Sequence, residues 1–108
     1  MYLNNWTGSG RLTRDADIFV SKKTGTTTGK MRIAVNDRRD KDTLYVDVIC
    51  FGKVAETLGE FLLKGKLIGI QGGRLKSDEF TLEGGEKRIS YYVVANDIEL
   101  GPLSQPQT

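Results

Sequence analysis

The sequence predicts an all-β fold, a five-stranded barrel with one helix between the third and fourth strands. Three observations carry that reading. Segments that alternate between apolar and polar residues recur along the chain, as half-buried strands require. Only one stretch, residues 53–63, has apolar residues at helical spacing. Glycine pairs punctuate the second half, with Gly72-Gly73 marking a bulge and Gly84-Gly85 the tip of an extended hairpin.

Residues 3–12 form the first strand, in which Trp6 and Thr7 favour extension while Gly8 and Gly10 loosen it. Ile18-Phe19-Val20 is a short apolar extension of it, and residues 21–29, rich in Lys, Thr and Gly, read as a turn. In the second strand, residues 30–36, Met31, Ile33 and Val35 face one way and Arg32, Ala34 and Asn36 the other. The third strand, residues 43–52, puts Leu44, Val46, Val48 and Cys50 on the core face. Tyr45, Asp47, Ile49 and Phe51 then share the opposite face. Two aromatics on a non-core face need a partner, and a loop or another subunit would suffice.

In the helix, Val54, Leu58, Phe61 and Leu62 fall at i, i+4, i+7 and i+8, one stripe that can cap an open barrel end. Lys64-Gly65-Lys66 stops it. Residues 67–71 are an apolar strand, residues 74–82 the outgoing arm of the hairpin, and residues 88–100 a long return strand. Tyr91 and Tyr92 at its centre point to opposite faces. Residues 1–100 make up one domain, and residues 101–108 read as a short disordered tail. The strand and helix order is that of the OB-fold, a Greek-key barrel that binds oligomers across its face.

At 108 residues the chain can bury a single core. Its 16 Lys and Arg against 14 Asp and Glu leave a net charge of +2, so any basic surface must come from distribution rather than from excess. Histidine is absent, so Cys50, in an apolar strand, has no imidazole to activate it. Gly8-Ser9-Gly10 lacks the continuation of either a dinucleotide or a phosphate loop. Asp37, Asp40 and Asp42 alternate with Arg38, Arg39 and Lys41, a solvated mixed-charge loop rather than a cation site. The expectation is a binding protein, with no catalytic residues, cofactor or metal. A lone cysteine, an N-terminus without signal-peptide character and no apolar run of ~20 residues point to the cytoplasm and away from a membrane.

Several segments, in order, are similar to those of the bacterial single-stranded DNA-binding (SSB) proteins. Gly10-Arg11-Leu12-Thr13-Arg14-Asp15 resembles the close of that family's first strand, and Ile33-Ala34-Val35-Asn36 its second. Cys50-Phe51-Gly52-Lys53-Val54-Ala55-Glu56 is similar to its strand-to-helix junction. Leu63-Lys64-Gly65, Gly73-Arg74-Leu75 and Val93-Val94-Ala95 complete the series, which covers roughly residues 3–100.

The resemblance implies single-stranded DNA binding without sequence preference, by aromatic platforms that stack on bases and cations that track phosphates. The implied service is the protection and organisation of single strands in replication, recombination and repair, in the nucleoid. Tyr45, Phe51 and Phe80 match stacking positions. Arg39 stands where many members carry Trp, and a guanidinium can both stack and pair with phosphate. Lys53, Arg32, Arg74, Lys76 and Arg88 are the candidate phosphate partners, whereas Lys22, Lys23 and Lys30 are read as a solvated loop. The family also implies a homotetramer, with Trp6-Thr7-Gly8-Ser9 replacing the aliphatic first-strand run of the dimer interface. The tail lacks an acidic tip, so tail-mediated recruitment of other proteins is expected to be absent. The alternative function is an OB-fold accessory module of a primosome-type complex, whose work is protein contact.

Overall fold

The computed structural model describes residues 3–36 and 42–101. Arg39 and residues 102–108 of the tail lie outside them. The barrel is organised around two long antiparallel strands, β3 (Thr27–Asn36) and β4 (Thr43–Phe51), paired without a slip from Thr28↔Phe51 to Asn36↔Thr43. Directly opposed residues share a face, so Met31 and Ile33 go inward together with Val48 and Cys50. Strand β6 (Lys87–Ala95) joins β4 in parallel, bringing Val93 beside Val48 and Ala95 beside Cys50. Strand β5 (Leu67–Thr81) runs antiparallel to β6 and forms the long hairpin with it.

Strand β1 (Trp6–Leu12) closes the ring by pairing with β5 along one edge and with β3 at Arg11↔Ala34 and Leu12↔Ile33. The result is a closed ring of five strands in the order β1-β3-β4-β6-β5, as expected for an OB barrel. Two short strands lie alongside it: β2 (Asp17–Val20) on β3 and β7 (Ile98–Leu100) on β5. Ile33, Ile68 and Val93 are completely buried inside the ring. Each such side chain contributes roughly 1.5–3 kcal/mol by leaving water.

Closure requires β1 to pass very close to β3. A Cβ on the buried Gly10 would sit 2.5 Å from the carbonyl oxygen of Ala34, so only glycine allows the crossing. Against β5, Trp6 pairs with Gly73 and Gly8 with Ile70, so two steps along β1 are matched by three along β5. This is the expected bulge. Gly72 supplies its left-handed backbone at φ 71°.

The structure differs from the sequence reading in four places. Residues 27–29, read as turn, are strand, because Ile18-Phe19-Val20 forms β2 and pairs with them. The turn shrinks to residues between Ser21 and Thr26, closed by the Ser21 N–H donating to the Thr26 carbonyl at 2.9 Å. The helix α1 spans only Lys53–Leu58 and tightens into a 3₁₀ turn at Gly59–Phe61, where the Ile18 side chain packs against Gly59. That tightening swings Phe61 off the apolar stripe, so it is half-exposed while Ala55 and Leu62 fill the barrel end.

Leu44, assigned to the core, is 57% exposed: it lies at the end of β4 beyond the last well-covered layer, opposite a Val35 that is itself only partly buried. The last strand, expected as one piece, breaks after Ala95. The chain then crosses to β5, pairing Ile98 with Ile70 and burying it.

Gly10→Ala is therefore expected to cost about 1–3 kcal/mol, the range for overpacking a close contact. Gly84, in the hairpin turn with open space around its Cβ direction, provides the control, and Gly84→Ala should stay within about 0.5 kcal/mol of the parent. Urea denaturation of the two variants checks the difference.

Candidate nucleic-acid interface

The outward face of β3 and β4 is set by the same pleat that builds the core. Tyr45 and Phe51 point out from β4, six residues apart, and strand geometry separates them by about 20 Å. They are 60% and 47% exposed. Their cross-strand partners are small, Ala34 opposite Tyr45 and Thr28 opposite Phe51, so neither aromatic is hidden by its neighbour on β3. Arg32 lies between them, opposite Asp47.

Strand register carries this face across the sheet. Ile49 on β4 is beside Val94 on β6, and Val94 is opposite Arg74 on β5. Two residues further along the hairpin, Tyr92 pairs with Lys76, then Ser90 with Asp78, then Arg88 with Phe80. Arg32, Tyr45, Phe51, Arg74, Lys76, Phe80 and Arg88, all singled out from the sequence, thus share one side of a continuous sheet. Lys53 is exposed at the start of α1, just past Phe51 and outside this register. Gly52 turns the chain there with φ 67°, and its N–H donates to the Thr27 carbonyl at 2.8 Å, which ties the junction to β3.

Two aromatics on this face escaped the sequence reading. Tyr92 is half-buried beside Ile49 and Val94 and lines an open hollow of about 400 Å³ with Arg14, Lys30 and Arg32. Its opposition to Tyr91 was visible; the parallel pairing of β4 with β6, which decides which tyrosine faces the groove, was not. Phe19 lies on β2 opposite Thr28, in line with Phe51. Strand alternation within residues 17–20 would have been the signal, but the segment is too short for a pattern to show. Of the chain's four Phe, four Tyr and one Trp, the face therefore collects five: Phe19, Tyr45, Phe51, Phe80 and Tyr92.

Cations interleave with them. Lys30, Arg32, Arg74, Lys76 and Arg88 share the face with Asp17, Asp47 and Asp78, and Glu86 at the foot of β6 reaches Arg88 Nη2 at 3.8 Å. Asp47 accepts from Arg32 Nε at 2.8 Å and from its Nη2 at 3.4 Å, and this hydrogen bond raises the guanidinium pKa. Both partners are about half exposed, so the pair adds little to stability; its effect is to occupy Arg32. Behind the face, burial pushes the Cys50 thiol pKa up, which keeps it protonated and unreactive.

Aromatic rings spaced along a cationic sheet face suit a flexible polyanion with flat groups. Comparison with known proteins agrees. Residues 3–101 match the model of the family described as "Single-strand binding protein family". The chain belongs to that family. Single-stranded DNA-binding protein of Clostridium tetani is 34% identical over 94 residues, which cover 83% of this chain and 64% of that protein. The protein of the same name from Fusobacterium nucleatum is 32% identical over 100 residues, covering 86% of this chain and 63% of its own length. Single-stranded DNA-binding protein 1 of Xylella fastidiosa is 34% identical over 106 residues, 91% of this chain and 76% of that protein. This SSB-family chain thus spans about two thirds of the length of the curated relatives it matches.

If the outward rings serve a ligand, they contribute little to the fold. Tyr45→Ala and Phe51→Ala should each change the unfolding free energy by less than about 1 kcal/mol, the span of strand propensity. Ile33→Ala, completely buried, should cost about 2–5 kcal/mol. Denaturant titrations of the three variants test the contrast.

Proposed function

We infer that this chain binds single-stranded DNA, without sequence preference, along the face formed by β3, β4, β6 and β5. The observation that carries the reading is the single register that gathers Tyr45, Phe51 and Phe80 with Arg32, Arg74, Lys76 and Arg88. Every base has a π-face, so stacking on these rings is tolerant of sequence, and each platform is worth about 1–3 kcal/mol. In a duplex the same faces are already occupied by neighbouring bases, which is why a stacking surface selects single strands. The guanidinium and ammonium groups meet phosphates and displace counterions. Lys53, at the helix start, and Arg39 extend this set of phosphate partners.

The reading extends to the protein's setting. Residues 1–100 serve as one DNA-binding domain that acts in the cytoplasm, where single strands arise during replication, recombination and repair. The match to a family of binding proteins supports a binding role rather than catalysis. No helix among the described residues is long and apolar enough to cross a membrane. The working form is a homotetramer, with Trp6 close to the interface of the first strand. Sedimentation at micromolar concentration tests that assembly, and a stable monomer would contradict it.

Affinity for oligo-dT should fall with salt, the logarithmic slope reflecting roughly 0.7 per phosphate neutralised. Tyr45→Ala, Phe51→Ala and Phe80→Ala should each weaken binding while leaving the slope unchanged, since a ring carries no charge. Lys76→Ala should flatten the slope. Asp47→Asn should do the opposite, strengthening binding and steepening the slope, because it frees Arg32 for a phosphate. Fluorescence titrations over a salt series read all five variants, and equal affinity for duplex and single-stranded DNA at moderate salt would sink the assignment.

A further inference from the structure

The cationic aromatic face does not end at β3. We propose that Phe19 and Lys30 form an additional subsite for one nucleotide of a single strand, with the base on the Phe19 ring and a phosphate on the Lys30 ammonium. This rests on the single-stranded DNA reading above and extends its track onto β2.

Three observations converge. The first is register: Phe19 is opposite Thr28, and Thr28 is opposite Phe51, so the two rings stand on the same side of the sheet with one strand between them. Two inter-strand spacings place them about 10 Å apart, close enough for one strand of nucleic acid to pass from one to the other. The second is exposure. Phe19 is 37% exposed and does not belong to the core or to the apolar side chains packed around it. Its neighbour Ile18, equally exposed, lies on the other side of β2, against Gly29 and Gly59.

The third observation is the cation. Lys30 Nζ lies 5.6 Å from the centroid of the Phe19 ring, in cation–π range. At an exposed site that contact is weak, so a phosphate can draw the ammonium away and leave the ring face to a base. An aromatic beside a cation is also the unit repeated elsewhere on this face, at Phe80 with Arg88 and at Tyr92 with Lys76. Beyond Phe19 the exposed Lys22 and Lys23 continue the positive charge into the turn.

The test is a length series of oligo-dT. Phe19→Leu keeps an apolar side chain but removes the ring; Lys30→Ala removes the charge. On long oligonucleotides Phe19→Leu should weaken binding about fivefold or more with the salt slope unchanged. It should have no effect on the shortest oligonucleotide that still responds to Phe51→Ala. Lys30→Ala should lower the salt slope by roughly 0.7 on the long ligand. A loss in Phe19→Leu that is equal at every length, or no loss at all, overturns the subsite. Failure of the underlying reading looks different, since Tyr45→Ala and Phe51→Ala would then bind as the parent does. Melting temperatures of the variants, expected to match the parent, separate lost contacts from lost folding.

Discussion

Everything this chain presents to a ligand follows from the pleat of a strand held in a closed ring. Closure leaves each ring strand one inside and one outside. Once Met31, Ile33, Val48, Cys50 and Val93 have filled the interior, the residues between them must point out. A slip of one residue would exchange the whole core for the whole outer face. Core and interface are thus two readings of one register, and the packing of the barrel is what aims Tyr45 and Phe51. The bulge at Gly72 and the tight crossing at Gly10 matter to the outer surface for that reason, although neither faces it.

How much of this could be read from the sequence depended on the range of the determining contacts. Period-two alternation is local, and residues 43–52 declared their outward aromatics without any knowledge of their neighbours. The Gly72-Gly73 bulge was equally legible, because glycine pairs have few other uses within a strand. Long-range pairing was not legible. Leu44 satisfies the alternation and is still exposed, since the extent of the core layer is decided by strands far away in the chain. Thr27-Thr28-Gly29 looks like a turn until β2 lies beside it. The second aromatic pair fared the same way: the opposition of Tyr91 and Tyr92 was plain, whereas the face that continues the β4 surface depends on a parallel contact between β4 and β6. The parts of the candidate site that stayed hidden were Phe19, Lys30 and Tyr92, whose places on the face depend on β2 lying beside β3 and β6 beside β4.

Charge illustrates the same point. A net of +2 says almost nothing, because register sorts the ions after the chain has folded. On the rear of the hairpin, Lys87 and Glu79 neutralise each other at 3.5 Å. On the front, Arg74, Lys76 and Arg88 outnumber Asp78 and the Glu86 carboxylate that lies 3.8 Å from Arg88. The two sides of one ribbon, two residues thick in sequence terms, carry different electrostatic characters without any bias in composition.

The hairpin itself has one further property. Its root is braced where the Asn4 side chain both donates to the Leu75 carbonyl at 2.9 Å and accepts from the Leu75 N–H at 2.8 Å, imitating the edge of a missing strand. Outward from there, residues 76–90 are exposed on both faces and contribute nothing to the barrel interior. Substitutions in that arm leave the core untouched, so Phe80, Arg88 and even the arm's length can drift while the fold stays constant. The barrel acts as a fixed chassis and the arm as a limb whose side chains can change without any cost to the packing of the core.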